Sequence, residues 1–307
     1  MLSYALEYLY AYAASLVVLL IAFALLERRF PAHAGQPFFR GEWWTDFAFL
    51  TGQYLLFAIA TSALLSSLSA LTFTNTIGPW LVSVRVAFQS IPLLLAFVIT
   101  TVLGDLLVYW FHRACHHFDF LWRFHRVHHT ARTLDFLAAH REHPLDGLCT
   151  QLAANLPLMI AGLPIRYLAG FIAFRSIWAV FIHSNVRLPL GPLRMLCGAP
   201  ELHHYHHAMD RTPRNFANLA PWLDWLFGTY ALVHEPVRLG VPDNQPRSYW
   251  QHLVCPFTDR AATQPSPDES RSSQELKYGC EVKSAVPAAG VHRNPSLDRT
   301  TRDCAES

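Results

Sequence analysis

Four stretches of this chain carry no charged residue and each runs to the length of a bilayer. They are Tyr8 to Leu26, Phe47 to Val84, Val86 to Gly104 and Gly147 to Ile165, and each reaches the roughly 18 residues with which a helix crosses the hydrocarbon core. Across the whole chain 52% of residues are apolar and only 15% are charged. Backbone polar groups find no water partners in hydrocarbon, so spans of this kind dictate helices. The expected fold is all-α: a polytopic membrane protein of about four transmembrane helices with a cytoplasmic, histidine-rich helical cap.

The first run has no basic residue before it and no small-residue cleavage site, and it ends in Glu27-Arg28-Arg29; it is expected to be a retained anchor with its cytoplasmic end at Arg28. The long second run returns to the other face, where Thr76-Ile77-Gly78-Pro79-Trp80 supplies turn and interfacial residues, and the third run crosses back. From Cys149 to His183 an apolar region broken by Pro157 and by Gly162-Leu163-Pro164 is expected to dip into the bilayer as a hairpin and bring His183 back beside the earlier histidines. Residues 1–88 are thus anchor helices. Beyond Cys255 the composition turns to Pro, Ser, Asp, Glu and Arg, and residues 256–307 are expected to be a disordered tail.

Net charge is only +2, and no basic stripe carries interleaved aromatics, which argues against nucleic acid as a partner. The six cysteines stand singly, without C-x-x-C pairs, so neither a zinc knuckle nor a disulfide framework is expected.

The histidines are where chemistry concentrates. Of 17 in the chain, most fall in two windows, His112 to His143 and His203 to His207. His112 and His116 form H-x-x-x-H, while His125, His128 and His129, and again His203, His206 and His207, form H-x-x-H-H. In a helix residues at i, i+3 and i+4 share a face, so each set is expected to converge on one point. Eight imidazoles exceed a four-coordinate structural zinc and fit two metal ions, though imidazole alone does not choose between iron, zinc, copper and nickel. A carboxylate-rich soluble di-iron bundle needs two E-x-x-H motifs, and only Glu201 with His204 is present. Asp105, Tyr109, His112 and His116 fall on one helical face. Asp105 is read either as orienting a ligand imidazole or as an interfacial carboxylate bonded to Arg113 or Arg123.

The segments Asp105 to Arg113 (DLLVYWFHR), Leu121 to His129 (LWRFHRVHH), Arg141 to Gly147 (REHPLDG), His183-Ser184-Asn185, Pro200 to His207 (PELHHYHH) and Trp222 to Tyr230 (WLDWLFGTY) together resemble the fatty acid hydroxylase and sterol desaturase superfamily. The resemblance covers roughly residues 90 to 235. It implies a catalytic domain at 89–255 and a membrane-bound non-haem di-iron enzyme that uses O2 and two electrons to hydroxylate, or less often desaturate, a lipid. It places the boxes on His112 and His116, on His125, His128 and His129, and on His203, His206 and His207, with His183 as a further ligand. Asp105 and Asn185 are placed in the catalytic set. His204 departs from the pattern, standing where many relatives have a basic residue, and is not read as a ligand.

No His-Pro-Gly-Gly haem motif or dinucleotide fingerprint occurs, so a separate electron donor of ferredoxin or cytochrome b5 type is expected. His140 and His143 stand at i and i+3 as weaker candidates, and His117 is expected on the surface. Trp110, Phe111, Trp122 and Phe124 are read as interfacial aromatics before substrate-groove residues. Trp222 to Tyr230 is taken as a structural segment closing over the histidines. Arg123, Arg126 and Arg141 are read as cytoplasmic anchors before head-group or redox-partner contacts. A membrane metal transporter is the competing class, but it would hold its ligands near the bilayer midplane on broken helices. The terminus carries no Lys-Asp-Glu-Leu retrieval signal, which favours a bacterial inner membrane over the endoplasmic reticulum. Sterol, fatty acyl chain, ether lipid and carotenoid all stay open as substrates.

Overall fold

The computed structural model describes residues 2–52, 79–161, 163, 165–209, 213–232, 238–242 and 247–258. The described residues contain helices and no strand, with isolated bridges only between Pro31 and Val186 and between Ala208 and Leu239. In chain order the helices are α1 (Leu2–Arg29), a helical stretch at 43–52, α2 (Pro79–Ser90), α3 (Leu93–Cys115), α4 (Asp119–His129), α5 (Pro144–Ile160), α6 (Ile165–His183), a single turn at Arg194–Cys197, α7 (Pro200–His206), α8 (Trp222–Leu226) and α9 (Tyr249–Thr258).

Among the described residues one helix, Leu93–Cys115, is long and apolar enough to cross a membrane, and Gly170–His183 is a shorter apolar stretch. The fold is therefore all-α as expected, while four spans are not established. Most of the second run, residues 53–78 with much of its turn, lies outside the described residues, as does the tail from residue 259 onward. Residues 256–258 belong to α9.

Two boundaries differ from the expected ones, and proline governs both. The crossing expected from Val86 to Gly104 is interrupted at Ile91-Pro92, between α2 and α3, because proline offers no N–H and disfavours helix in the residue before it. Pro157, expected to end a helix, lies inside α5. There Leu158 and Met159, just past the proline, are buried with Phe88, Ala96 and Tyr167, and that burial outweighs one lost hydrogen bond.

α3 is the axis of the molecule. It packs against α4, α5 and α6, and α6 in turn packs against α7. Val108, Ala154, Phe171 and Leu219 form the buried layer between α3, α5 and α6. Gly104 allows the closest approach: a Cβ there would stand 2.2 Å from Cζ of Phe171, which is fully buried. α5 and α6 make the expected hairpin, and its return carries His183 to the histidine-bearing end of α3 and α4.

A buried ionic network ties the chain after α1 to the segment after α4. Arg40 bonds both Asp135 oxygens at 2.7 Å and also Asp46, and Arg141 bonds Asp46 through Nε and Glu42 through a terminal nitrogen. Arg141 is 0% exposed, so the reading of it as a surface anchor is corrected: the buried Asp46 and the partly buried Glu42 hold it inside. Arg123 and Arg126 are half-buried.

Candidate metal centre

All nine histidines singled out in the sequence come together, in two adjoining groups. His112, His116, His125, His129 and His206 form one, and His128, His183, His203 and His207 the other, with the potential donor atoms of each group within 4.8 Å of one another. The expectation that each motif converges on one point is corrected. In each H-x-x-H-H the i, i+4 pair serves one group and the middle histidine crosses to the other: His125 and His129 against His128, and His203 and His207 against His206. Helical geometry explains the split, because i and i+4 stand about 40° apart around the axis whereas i+3 lies about 60° to the other side of i.

Five of the ring nitrogens facing away from the groups are held by the protein, while Nδ1 of His203 and of His207 is buried without a hydrogen-bond partner. His112 Nδ1 donates to the Phe216 carbonyl at 2.8 Å, His128 to Arg141 at 3.1 Å, His183 to Ala179 at 2.6 Å and His206 to Arg214 at 2.7 Å. A carbonyl only accepts, so each Nδ1 carries its proton and each Nε2 offers a lone pair. His125 Nδ1 donates to Oδ2 of Asp146 at 2.9 Å. Burial pushes His125 down to about 3 and holds His128, His129, His206 and His207 well below the ordinary histidine value. These imidazoles are neutral, as metal ligands must be.

Lone pairs so arranged suit a cation between them. His128 Nε2 and His183 Nε2 lie 2.9 Å apart, and neither has a proton to place between them; His203 Nε2 is 2.9 Å from His183 Nε2 and His116 Nε2 is 3.1 Å from His206 Nε2. Nε2 of His112, His125 and His129 is buried without any hydrogen-bond partner. Nitrogens about 2.1 Å from a metal stand about 3.0 Å apart when at right angles and about 3.4 Å apart on a tetrahedron. The observed separations fit the right-angled arrangement, and five donors in one group exceed four-coordinate zinc. The residues therefore fit a pair of octahedral-type ions such as iron.

Asp105 and Asn185, singled out in the sequence, lie away from both histidine groups. Asp105 accepts the N–H groups of Leu219 and Ala220 at 2.8–3.2 Å, so it orients no imidazole and bonds neither Arg113 nor Arg123. It works at one remove, fixing the 216–220 loop whose Phe216 carbonyl holds His112. Asp224 grips the same loop through the N–H groups of Phe216 and Ala217 and the Thr229 hydroxyl, the closing role expected of this segment. Asn185, placed in the catalytic set, instead clamps His33: its side chain accepts the His33 N–H at 2.8 Å and donates to the His33 carbonyl at 3.1 Å. The carboxylate that does touch an imidazole is Asp146, which stands in the Arg141 to Gly147 motif and is not among the residues expected at the site. An acid in the first turn of an otherwise apolar helix was the available signal.

The remaining candidates sort cleanly. His143 caps α5, accepting the Leu145 N–H at 3.1 Å while its Nε2 donates to the Leu253 carbonyl. His204 faces the His183 and Ser184 carbonyls, away from both groups. Of the four aromatics only Phe111 lines the cavity beside the histidines; Trp122 packs on His116 and His129, Phe124 on His143, and Trp110 is exposed. That cavity, of about 350 Å³, touches members of both groups, including His112, His128 and His183, and also reaches His140.

Every residue of both groups, with Asp105, Asp146 and Asp224, lies within residues 97–229, which match the fatty acid hydroxylase family. That match and the relatives support the fatty acid hydroxylase and sterol desaturase superfamily. The chain is similar to the ornithine lipid hydroxylase of Rhizobium tropici, 28% identical over 66% of this chain and 61% of that one, and to the human alkylglycerol monooxygenase, 30% identical over 43% of this chain and 30% of that one. A very-long-chain aldehyde decarbonylase of Oryza sativa is 32% identical over 42% of this chain and 49% of that one. The chain thus spans about three fifths of the first relative's length and half or less of the others'. No solved structure matches. Within the matched residues fall α3 from residue 97 onward and α4 to α8, whereas the Arg40 and Asp46 side of the ionic network lies before them.

Proposed function

We propose that this chain is a membrane-bound non-haem di-iron oxygenase that hydroxylates, or by a smaller change of placement desaturates, a lipid with O2 and two externally supplied electrons. The observation that carries this reading is the facing set of deprotonated Nε2 atoms, most plainly His128 against His183 at 2.9 Å. One iron would be held by His112, His116, His125, His129 and His206, the second by His128, His183, His203 and His207. Bound iron supplies the activation of O2 and the oxidation of a C–H bond.

The protein's own contribution is placement and exclusion. Backbone carbonyls and Asp146 fix five of the imidazoles, His112, His125, His128, His183 and His206, from behind, which keeps their lone pairs aimed inward. Val108, Phe111, Ile172, Ala179 and Val180 give the cavity an apolar wall beside the histidines, keeping water from the reacting carbon. Hydroxylation and desaturation of one substrate differ by ångström-scale placement of that carbon.

A membrane setting is supported by α3, whose first turns leave Leu93, Leu94, Leu95 and Val98 exposed while Val108, Tyr109 and His112 are buried. The exposed end suits hydrocarbon and the buried end sits at the aqueous boundary, where a ferredoxin- or cytochrome b5-like donor has access. Residues 89–255 act as the catalytic unit and 1–88 as its anchor, in a bacterial inner membrane with the histidines on the cytoplasmic side.

The test is O2 consumption by ferrous-reconstituted protein in lipid nanodiscs with an external reductant, with products read by mass spectrometry across acyl, ether and sterol lipids. Oxygenated or unsaturated lipid from the wild type and none from His128→Ala plus His206→Ala supports the reading. Stable metal binding without lipid-dependent O2 uptake, on any of these lipids, moves the protein to the metal-transport class.

A further inference from the structure

Of the buried arginines among the described residues, Arg40 and Arg141 are in ion pairs and Arg175 is not. It lies two turns before His183 on α6, and Arg175, Ala179 and His183 at i, i+4 and i+8 share the helix face that lines the cavity. The side chain is 8% exposed and its Nε is buried without a hydrogen-bond partner. Among the described residues it makes no ion pair. Asp105 and Glu142 are the acids whose charge it feels; Asp105 is engaged by Leu219 and Ala220, and Glu142 lines the same cavity. A guanidinium carries five N–H donors in a fork that matches carboxylate and phosphate, and burying one unpaired is costly. A second unsatisfied polar atom, the acceptor Oδ1 of Asn218, lies on a residue lining the same cavity.

We propose that Arg175 binds the acidic group, carboxylate or phosphate, of a lipid substrate inside this cavity, with Asn218 Oδ1 taking a neighbouring hydroxyl or amine hydrogen. The proposal rests on the oxygenase reading for the occupant being a lipid. It names the substrate class as acidic or zwitterionic rather than sterol or carotenoid. At a rise of about 1.5 Å per residue Arg175 lies about 12 Å along the axis from His183, so the oxidised carbon is several bonds removed from the acid group.

The test is equilibrium binding to the purified full chain in non-ionic detergent, with whatever metal it holds, read by tryptophan quenching with brominated chains and corrected for micelle partition. A fatty acid is compared with its methyl ester, and an alkyl phosphate with the alcohol, at equal chain length. Wild type is expected to bind at least one acid about 10-fold tighter than its neutral partner, the two arms distinguishing carboxylate from phosphate. Arg175→Gln is expected to lose that preference while holding the neutral ligand within about twofold, and Arg175→Lys to retain part of it. Inorganic phosphate is expected not to compete. No preference in wild type, a preference that survives in Arg175→Gln, or competition by free phosphate at equal concentration would overturn the proposal. If Arg175→Gln fails to fold, the wild-type and Arg175→Lys comparisons still decide it. Iron content of the same samples tests the oxygenase reading separately, because binding does not require turnover.

Discussion

Oδ2 of Asp146, in the first turn of α5, accepts a hydrogen bond from Nδ1 of His125 at 2.9 Å. It is a carboxylate fixing an imidazole of the five-histidine group. Partners of this kind raise ligand basicity and hold ring orientation, and losing one costs about 10–100-fold in metal affinity. Asp146→Asn is therefore expected to weaken one of two metal sites by that factor, leaving helical content unchanged by circular dichroism. Titration with ferrous ion under anaerobic conditions checks it; wild-type affinity at both sites would contradict the assignment.

Asn185 gives the opposite expectation. Its amide closes a two-way bond with the His33 backbone, so Asn185→Ala removes two part-buried hydrogen bonds, at about 0.5–1.5 kcal/mol each. A lower unfolding temperature with full metal content is expected. Full stability with lost activity would restore a catalytic role.

Gly104 and Phe171 should be coupled. A methyl at residue 104 collides with the Phe171 ring, and overpacking of this kind costs about 1–3 kcal/mol, against a gain of about 1 kcal/mol from helix propensity. Gly104→Ala is expected to destabilise, and Phe171→Leu to relieve the loss in the double variant. Simple additivity in that cycle would mean the ring moves freely.

Acid sensitivity has an identifiable contributor in Asp46. Burial alone would raise its carboxyl, but Arg141 and Arg40 hold it below the ordinary value. A carboxylate depressed in the folded state stabilises above its unfolded value, about 3.9, and that share fades as pH falls through the folded value. Asp46→Asn leaves Arg40 paired with Asp135 and Arg141 with Glu42, a loss of at most about 3–5 kcal/mol. The gap between wild type and this variant is expected to be constant above about pH 5 and to narrow below pH 4. A gap independent of pH would remove Asp46 from the account.

What the sequence disclosed follows from which interactions are local. His112, His125 and His203 each have their i+3 or i+4 partners within one turn, so ligand spacing was legible, and with it the helical fold. The division into two groups was not, because it depends on which side of α4 and α7 faces α3 and α6. Asp105 looked like the orienting acid since it shares a helix face with His112; the acid that bonds an imidazole comes from α5, 21 residues beyond His125. Arg141 read as surface charge because its partner Asp46 lies 95 residues away. Pro92 ended a helix where the apolar run continued, since hydropathy carries no information on backbone N–H groups.

The central claim is two irons held by two separable sets of histidines, and iron counting with Mössbauer spectroscopy on iron-57-grown protein tests it most directly. Wild type is expected to hold about two magnetically coupled irons per chain. His129→Ala plus His206→Ala should keep one uncoupled iron in the four-histidine group, and His183→Ala plus His203→Ala one in the five-histidine group. One iron or none in wild type, or zinc that ferrous iron cannot replace, would contradict the account.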